Sequence, residues 1–220
     1  MSAQVQTDVD DAPREQQQRE EDSERQENPI LVTGFGPFHH HAVNASWVAV
    51  QEMEKLGIEH KSRKIPLRTK EVPVAYDVVS SMVPSLHEEI KPRLCVHVGV
   101  SPYKVIKIEK YGRNVGYKVA DIFGKAPQTK LCVPGGPECI STQFNIEGVC
   151  ETLSKKQNDV TFEISHDAGR YLCDYIYYTS LHHGKSPVVF VHVPELNKPY
   201  SAEQLAAALK GIIEALLDEL

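Results

Sequence analysis

PILVTGFGPF, residues 29–38, places a short unbroken apolar run from Ile30 to Thr33 directly before a glycine. A continuous run of this length, closed by glycine rather than alternating with polar residues, suits a strand buried on both faces of a largely parallel sheet. Two later stretches repeat the pattern: RLCVHVGV (93–100) and PVVFVHV (187–193). Between them lie segments with helical spacing. One runs from about Ser46 to Leu56, with Asn44 or Ser46 as its cap and Gly57 as its stop, and Trp47, Val50 and Glu54 at helical spacing. Others span about 72–90, interrupted or kinked at Pro84, then about 146–157 and about 169–183. A last helix starts at Ser201, with Leu205, Ala208, Ile212, Leu216 and Leu220 as its apolar stripe. Further strands are expected near His60–Pro66, at VTFEIS (160–165) and, half-exposed, at VIKIEKYGRN (105–114), whereas 118–140 reads as a long loop or edge hairpin. Strands alternating with helices give an α/β fold of three layers, α/β/α.

The charge is unevenly placed. Residues 1–28 hold nine acids and three arginines, a net of −6 that equals the charge of the whole 220-residue chain. Residues 29–220 therefore balance at 21 charges of each sign, which argues against a nucleic-acid or anionic-membrane surface. The first 28 residues have too few large apolar side chains to offset the entropy of ordering and read as a disordered acidic tail. The rest reads as one domain, with 41% hydrophobic residues across the chain to supply its core. No secretory or mitochondrial leader is evident, and no stretch approaches 18 uninterrupted apolar residues. Five cysteines, at 95, 132, 139, 150 and 173, form no CxxC pair. That count fits a reducing, cytosolic compartment better than a disulfide framework or a zinc ribbon.

Cys173 stands out among the five. In HDAGRYLCDYIYY (166–178) it follows a strand and a glycine-containing turn and opens the next helix. There the positive end of the helix dipole favours a thiolate. The bland alternative is a small core residue. A nucleophilic cysteine needs an imidazole and an acid to orient it. His192, near the end of VVFVHVP, lies 19 positions on, a spacing that a βαβ unit can close. His97 in LCVHVGV qualifies by the same logic, and spacing does not separate the two. Glu109 reads either as an ordinary solvated charge or as the carboxylate that fixes the histidine tautomer.

TGFGPF (33–38) begins like a dinucleotide loop, but its third glycine is absent and Pro37 removes a backbone donor. What remains is two loop aromatics, Phe35 and Phe38, suited to an apolar slot for a flat uncharged group. The run His39-His40-His41 invites a metal, yet consecutive residues seldom converge on one ion and no spaced acid or cysteine completes the set. His182 and His183 read as a helix C-terminus.

Together these stretches resemble the pyroglutamyl-peptidase I family of cysteine peptidases, and its vertebrate cytosolic members in particular. The resemblance covers about residues 29–219 and is carried by LVTGFGPF with VNASWVAVQEMEKLG, by SHDAGRYLCDYIYYTSL, and by FVHVP with KPYSAEQL. It implies an open α/β/α sandwich, phosphorylase/hydrolase-like, with a mixed, mostly parallel sheet. By the resemblance, Cys173 is the nucleophile, His192 the base and Glu109 the orienting acid. Phe35 and Phe38 form the pyroglutamyl pocket, with Asn44 beside them as a substrate-binding candidate. The substrates implied are small peptides with an N-terminal pyroglutamate, handled in the cytosol by a monomer or homo-oligomer without metal or other cofactor. The other expectation from a different class is a catalytically weak relative that binds peptides or a partner. The sequence departs from the family at His39, which replaces a glycine, and over 101–109, which is one residue shorter and carries Lys107 in place of a small hydroxyl residue.

Overall fold

The computed structural model describes residues 28–38, 42–156 and 159–220. The acidic tail, but for its last residue, and the His39–His41 run lie outside the described residues. Ten strands and five helices follow one another in these. They are β1 (Ile30–Phe35), α1 (Ala45–Leu56), β2 (Ile58–His60), β3 (Arg63–Ile65), β4 (Leu67–Val72), α2 (Tyr76–Ile90), β5 (Leu94–Ser101), β6 (Ile106–Glu109) and β7 (Tyr111–Arg113). Then come β8 (Cys139–Ser141), α3 (Ile146–Lys156), β9 (Phe162–Ser165), α4 (Leu172–His183), β10 (Val188–Pro194) and α5 (Ala202–Leu217).

The central sheet has the order β4-β1-β5-β10-β6-β9. β4, β1, β5 and β10 run parallel, β6 is antiparallel to β10, and β9 is parallel to β6. The sheet is thus mixed and mostly parallel. Alternate residues of its central strands feed two separate cores. Ile30, Val32, Val96, Val98, Val189 and Val191 pack with α1, α3 and α5 on one face. Leu31, Phe35, Cys95, Val188 and Phe190 pack with α2 and α4 on the other. Helices on both faces explain why these strands read as unbroken apolar runs. The result is the three-layer α/β/α arrangement.

Local chemistry fixes the ends. Asn44 accepts from the Ser46 N–H and caps α1, and Gly57 closes it at φ 65°. Ser201 and Gln204 form a reciprocal capping box at the start of α5. A Cβ on Gly34 would stand 2.8 Å from the Trp47 Cα, so the first glycine of TGFG lets α1 lie directly against β1.

Several expectations are corrected. The strand expected near 60–66 is a separate small hairpin, β2–β3. LRTKEV (67–72), of which only Val72 was expected in a helix and the rest in no element, forms the edge strand β4, and α2 begins only at Tyr76. Its polar residues are allowed because an edge strand is largely wet. Helix α2 runs unbroken through Pro84. β6 is buried between β10 and β9 rather than half-exposed, which also buries Glu109. Leu220 lies beyond α5 and is exposed.

Candidate active site

Cys173 is the second residue of α4. The helix opens at Tyr171, whose side chain makes no capping hydrogen bond to its first N–H groups. The expected βαβ spacing is not how Cys173 meets His192. β9 runs antiparallel to β10 and is separated from it by β6. Instead the chain leaves β9, turns over 166–171, and descends through α4. It then climbs back along β10. A 12-residue helix descends about 18 Å, and the climb from Val188 to His192 recovers about 13 Å of it, so helix start and strand end meet.

Gly99 makes that meeting possible. It pairs with His192 across β5 and β10. A Cβ there would lie 2.7 Å from the Cys173 sulfur and 2.7 Å from Phe190 Cζ. The thiol occupies the space that any other residue at 99 would fill.

Glu109 pairs in register with Phe190, diagonal to His192 on the same sheet face. Its Oε1 stands 2.7 Å from His192 Nδ1, and it is 1% exposed. The second oxygen, Oε2, has no hydrogen-bond partner among the described residues. Burial pulls the His192 ring down. The Cys173 sulfur, by charge and hydrogen bond, and the Glu109 carboxylate outweigh burial and hold the ring up at about 9. The sulfur, the ring and the carboxylate therefore form one connected line, Cys173–His192–Glu109.

His97, the rival base, is engaged by other partners. Its Nδ1 lies 2.7 Å from Thr33 Oγ1 and its Nε2 3.4 Å from Cys95 Sγ. Burial lowers it to about 3. The thiols of Cys95, Cys132 and Cys150 are pushed up by burial to about 12, 12 and 11, which sets them apart from the thiol beside His192. Asp174, next to the nucleophile candidate, turns away from it. Its carboxylate accepts from the Arg113 N–H at 3.0 Å and from Tyr117 Oη at 3.1 Å, and burial raises it to about 7. Because Arg113 lies just beyond Glu109 in the chain, Asp174 ties α4 to the segment that follows Glu109. Arg170 bridges Asp167 and Asp174 and braces the turn ahead of α4.

A cavity of about 80 Å³ opens beside the thiol. Phe35, Phe38, Val74, Val100, Tyr171 and Leu172 wall it, with Asn44 and Cys173 at its edge. All but Asn44 and Cys173 are apolar or aromatic, so the slot desolvates a neutral ring at little cost. Phe35 is the last residue of β1 and 4% exposed, not the loop residue that the sequence suggested. Asn44 holds the frame: its Nδ2 donates to Gly36 O, and its Oδ1 accepts from the Ser46 N–H and hydroxyl. Val74, Val100, Tyr171 and Gly99 were not anticipated. Only Gly99 left a trace, as a glycine inside an otherwise β-branched strand, which marks a close approach. Lys107, paired opposite His192, holds its ammonium 3.5 Å from the centre of the Tyr103 ring. A larger, shallow depression of about 480 Å³ between α3 and β9 contains Cys150 but no imidazole, and has no comparable chemistry.

Comparison with known proteins agrees with this geometry. A family profile described as Pyroglutamyl peptidase matches residues 28–213. The chain is 48% identical to rat (Rattus norvegicus) pyroglutamyl-peptidase 1 over 195 residues, 88% of this chain and 92% of that one. It is 47% identical to the human protein of the same name over 196 residues, 89% and 92% of the two chains. A solved mutant pyrrolidone carboxyl peptidase from the hyperthermophile Pyrococcus furiosus superposes with a TM-score of 0.77 at 28% identity, covering 87% of this chain and 99% of that one. The family match spans the sheet, the thiol–imidazole pair and the cavity alike, and the chain belongs to the pyroglutamyl peptidase family.

Proposed function

We propose that residues 29–220 act as one cysteine omega-peptidase domain that removes an N-terminal pyroglutamyl residue from small peptides. The observation that carries this reading is the line Cys173–His192–Glu109, in which the carboxylate meets the ring at 2.7 Å and the sulfur holds the ring's pKa up, set beside an apolar cavity. A pyroglutamyl ring is a flat lactam without the charged amine of an ordinary N-terminus. Walls such as Phe35 and Phe38 hold it without desolvating an ion.

In the first step the Cys173 sulfur attacks the carbonyl carbon outside the ring. Charge then develops on the carbonyl oxygen, near the N–H groups at the uncapped start of α4. The C–N bond breaks as the His192 imidazolium gives its proton to the leaving amine. The resulting thioester is hydrolysed by water, with His192 now taking the water proton and Glu109 holding the ring in one tautomer. Pyroglutamate leaves and the thiolate–imidazolium pair is restored.

The balanced charge of residues 29–220 and the free cysteines support a cytosolic enzyme acting on peptides rather than nucleic acid. No helix among the described residues is long and apolar enough to cross a membrane. The test is hydrolysis of a fluorogenic pyroglutamyl amide beside alanyl and prolyl amides. Turnover of the first alone, abolished in Cys173→Ala, is the expected result. A wild-type chain as inert as that variant would overturn the proposal and leave a peptide-binding relative.

A further inference from the structure

Away from the catalytic line, a second set of imidazole and thiol groups converges in the layer between the sheet and helices α2 and α4. His87 comes from α2, and Cys95 and His97 come from β5. Each offers one ligand atom, and the three atoms lie within 4.8 Å of one another. The side chains are shielded from solvent: His87 and His97 are 1% exposed and Cys95 is 0% exposed. Cys95 sits four residues before Gly99 on β5, about 13 Å along the strand. This cluster is therefore separate from the Cys173 site.

The hydrogen bonds leave the cluster only partly satisfied. His97 Nδ1 is held by Thr33 Oγ1 at 2.7 Å, which turns Nε2 toward Cys95 Sγ at 3.4 Å. Bonding of the outer ring nitrogen to a hydroxyl while the inner one faces a thiol is the arrangement that orients a metal-ligating histidine. His87 Nε2 meets only Ser180 Oγ, at 2.6 Å, and its Nδ1 has no partner among the described residues. Ser180 in turn lies 3.9 Å from Cys95 Sγ, too far for a strong bond. In an apolar layer an unpaired ring nitrogen is costly. A lone core histidine seldom meets both a thiol and a second histidine.

We propose that His87, Cys95 and His97 form a binding site for copper(I). One thiolate and two imidazoles are a soft to borderline donor set, suited to copper(I) or zinc(II). Charge separates the two ions. No carboxylate belongs to the cluster. Glu88 lies outward beside His183 and pairs with Lys185. With Cys95 as thiolate, copper(I) makes a neutral buried centre, whereas zinc(II) leaves a net positive charge in an apolar layer, which is costly. Binding forms the S–Cu bond and breaks the S–H bond of Cys95. The proton goes to solvent, and no electron is transferred. His183, whose ring centre is 5.1 Å from that of His87, is partly exposed and is the neighbour of the cluster on its solvent side.

The test is copper(I) titration of the full chain under argon against a chromophoric copper(I) chelator, in a Cys173→Ser background that removes the reactive thiol. One equivalent should be retained. Affinity should fall at least 100-fold in Cys95→Val and in His87→Phe, each checked by thermal melting, and stay unchanged in Cys139→Ser. X-ray absorption of the loaded chain should show one sulfur and two nitrogen ligands. Unchanged affinity in Cys95→Val and His87→Phe would overturn the proposal. A spectrum without sulfur would do so even if the variants do not fold, as would retention of zinc(II) with refusal of copper(I).

Discussion

The Cys173 sulfur rests where a side chain on Gly99 would begin, 2.7 Å from the position of a Cβ at that residue. β5 thus shapes the seat of the Cys173 thiol without contributing a functional group. Gly99→Ala should fold with a stability loss of about 1–3 kcal/mol, the usual cost of overfilling a packed site. It should also displace the thiol. Displacement of about 1 Å lowers turnover ~100-fold. Kinetics on a pyroglutamyl amide together with a denaturant melt measure both. A Gly99→Ala enzyme with wild-type kcat/KM would show that the thiol tolerates a different seat.

Glu109→Gln removes the charge that faces His192 while keeping the shape. The ring should lose both its fixed tautomer and part of its raised pKa, because the carboxylate is among the causes that raise it. Turnover should fall ~100-fold, within the range for a displaced general base, and the alkaline limb of the rate profile should move to lower pH. An unchanged profile would place the orienting acid elsewhere.

His192 and His97 should behave oppositely. His192→Ala should abolish turnover by ~1000-fold or more while the protein still melts cooperatively. His97→Ala breaks the bond to Thr33 and opens a buried gap, so its cost should be in stability, about 2–4 kcal/mol, with thiol alkylation by a small electrophile persisting. Equal kinetic losses in two equally folded variants would contradict the assignment.

The raised His192 pKa links stability to pH. Its ordinary value is 6.5 and its value in the folded chain about 9. The protonated ring therefore stabilises fully below about 6.5, and that contribution is lost as pH rises through about 9, at up to about 1.4 kcal/mol per pH unit. Denaturant melts between pH 6.5 and 9 should show the decline in wild type and a shallower one in Cys173→Ser, which lacks the sulfur that raises the ring. Parallel curves would mean that the thiol does not charge the imidazole.

Phe38 walls the cavity and is half-buried. Phe38→Ala should raise KM for the pyroglutamyl amide ~10-fold, the scale of about 1.5 kcal/mol for one aromatic contact face. Its effect on kcat should be smaller. A fall in kcat with KM unchanged would place the ring against the reacting bond instead of the lactam.

The sequence by itself determined the layers and most of the actors. PILVTGFGPF, RLCVHVGV and PVVFVHV announced strands covered on both faces because such strands carry no polar alternation. Cys173 was legible as a helix-opening thiol because a turn and a helix signature surround it. The choice between His192 and His97 was not legible, since both end apolar strand runs and spacing is blind to register. Strand register and side-chain partners separate the two: β10 places His192 opposite Gly99, whereas His97 is turned to Thr33 and Cys95. Glu109 looked like a solvated charge because a four-residue alternation cannot reveal that a strand will be flanked on both edges. The insertion of β6 between β10 and β9 buried it and aimed it at the ring. Periodicity encodes which face of an element is apolar. Which elements become neighbours, and in what register, is fixed only when the whole sheet closes, and the line Cys173–His192–Glu109 is made of such neighbours.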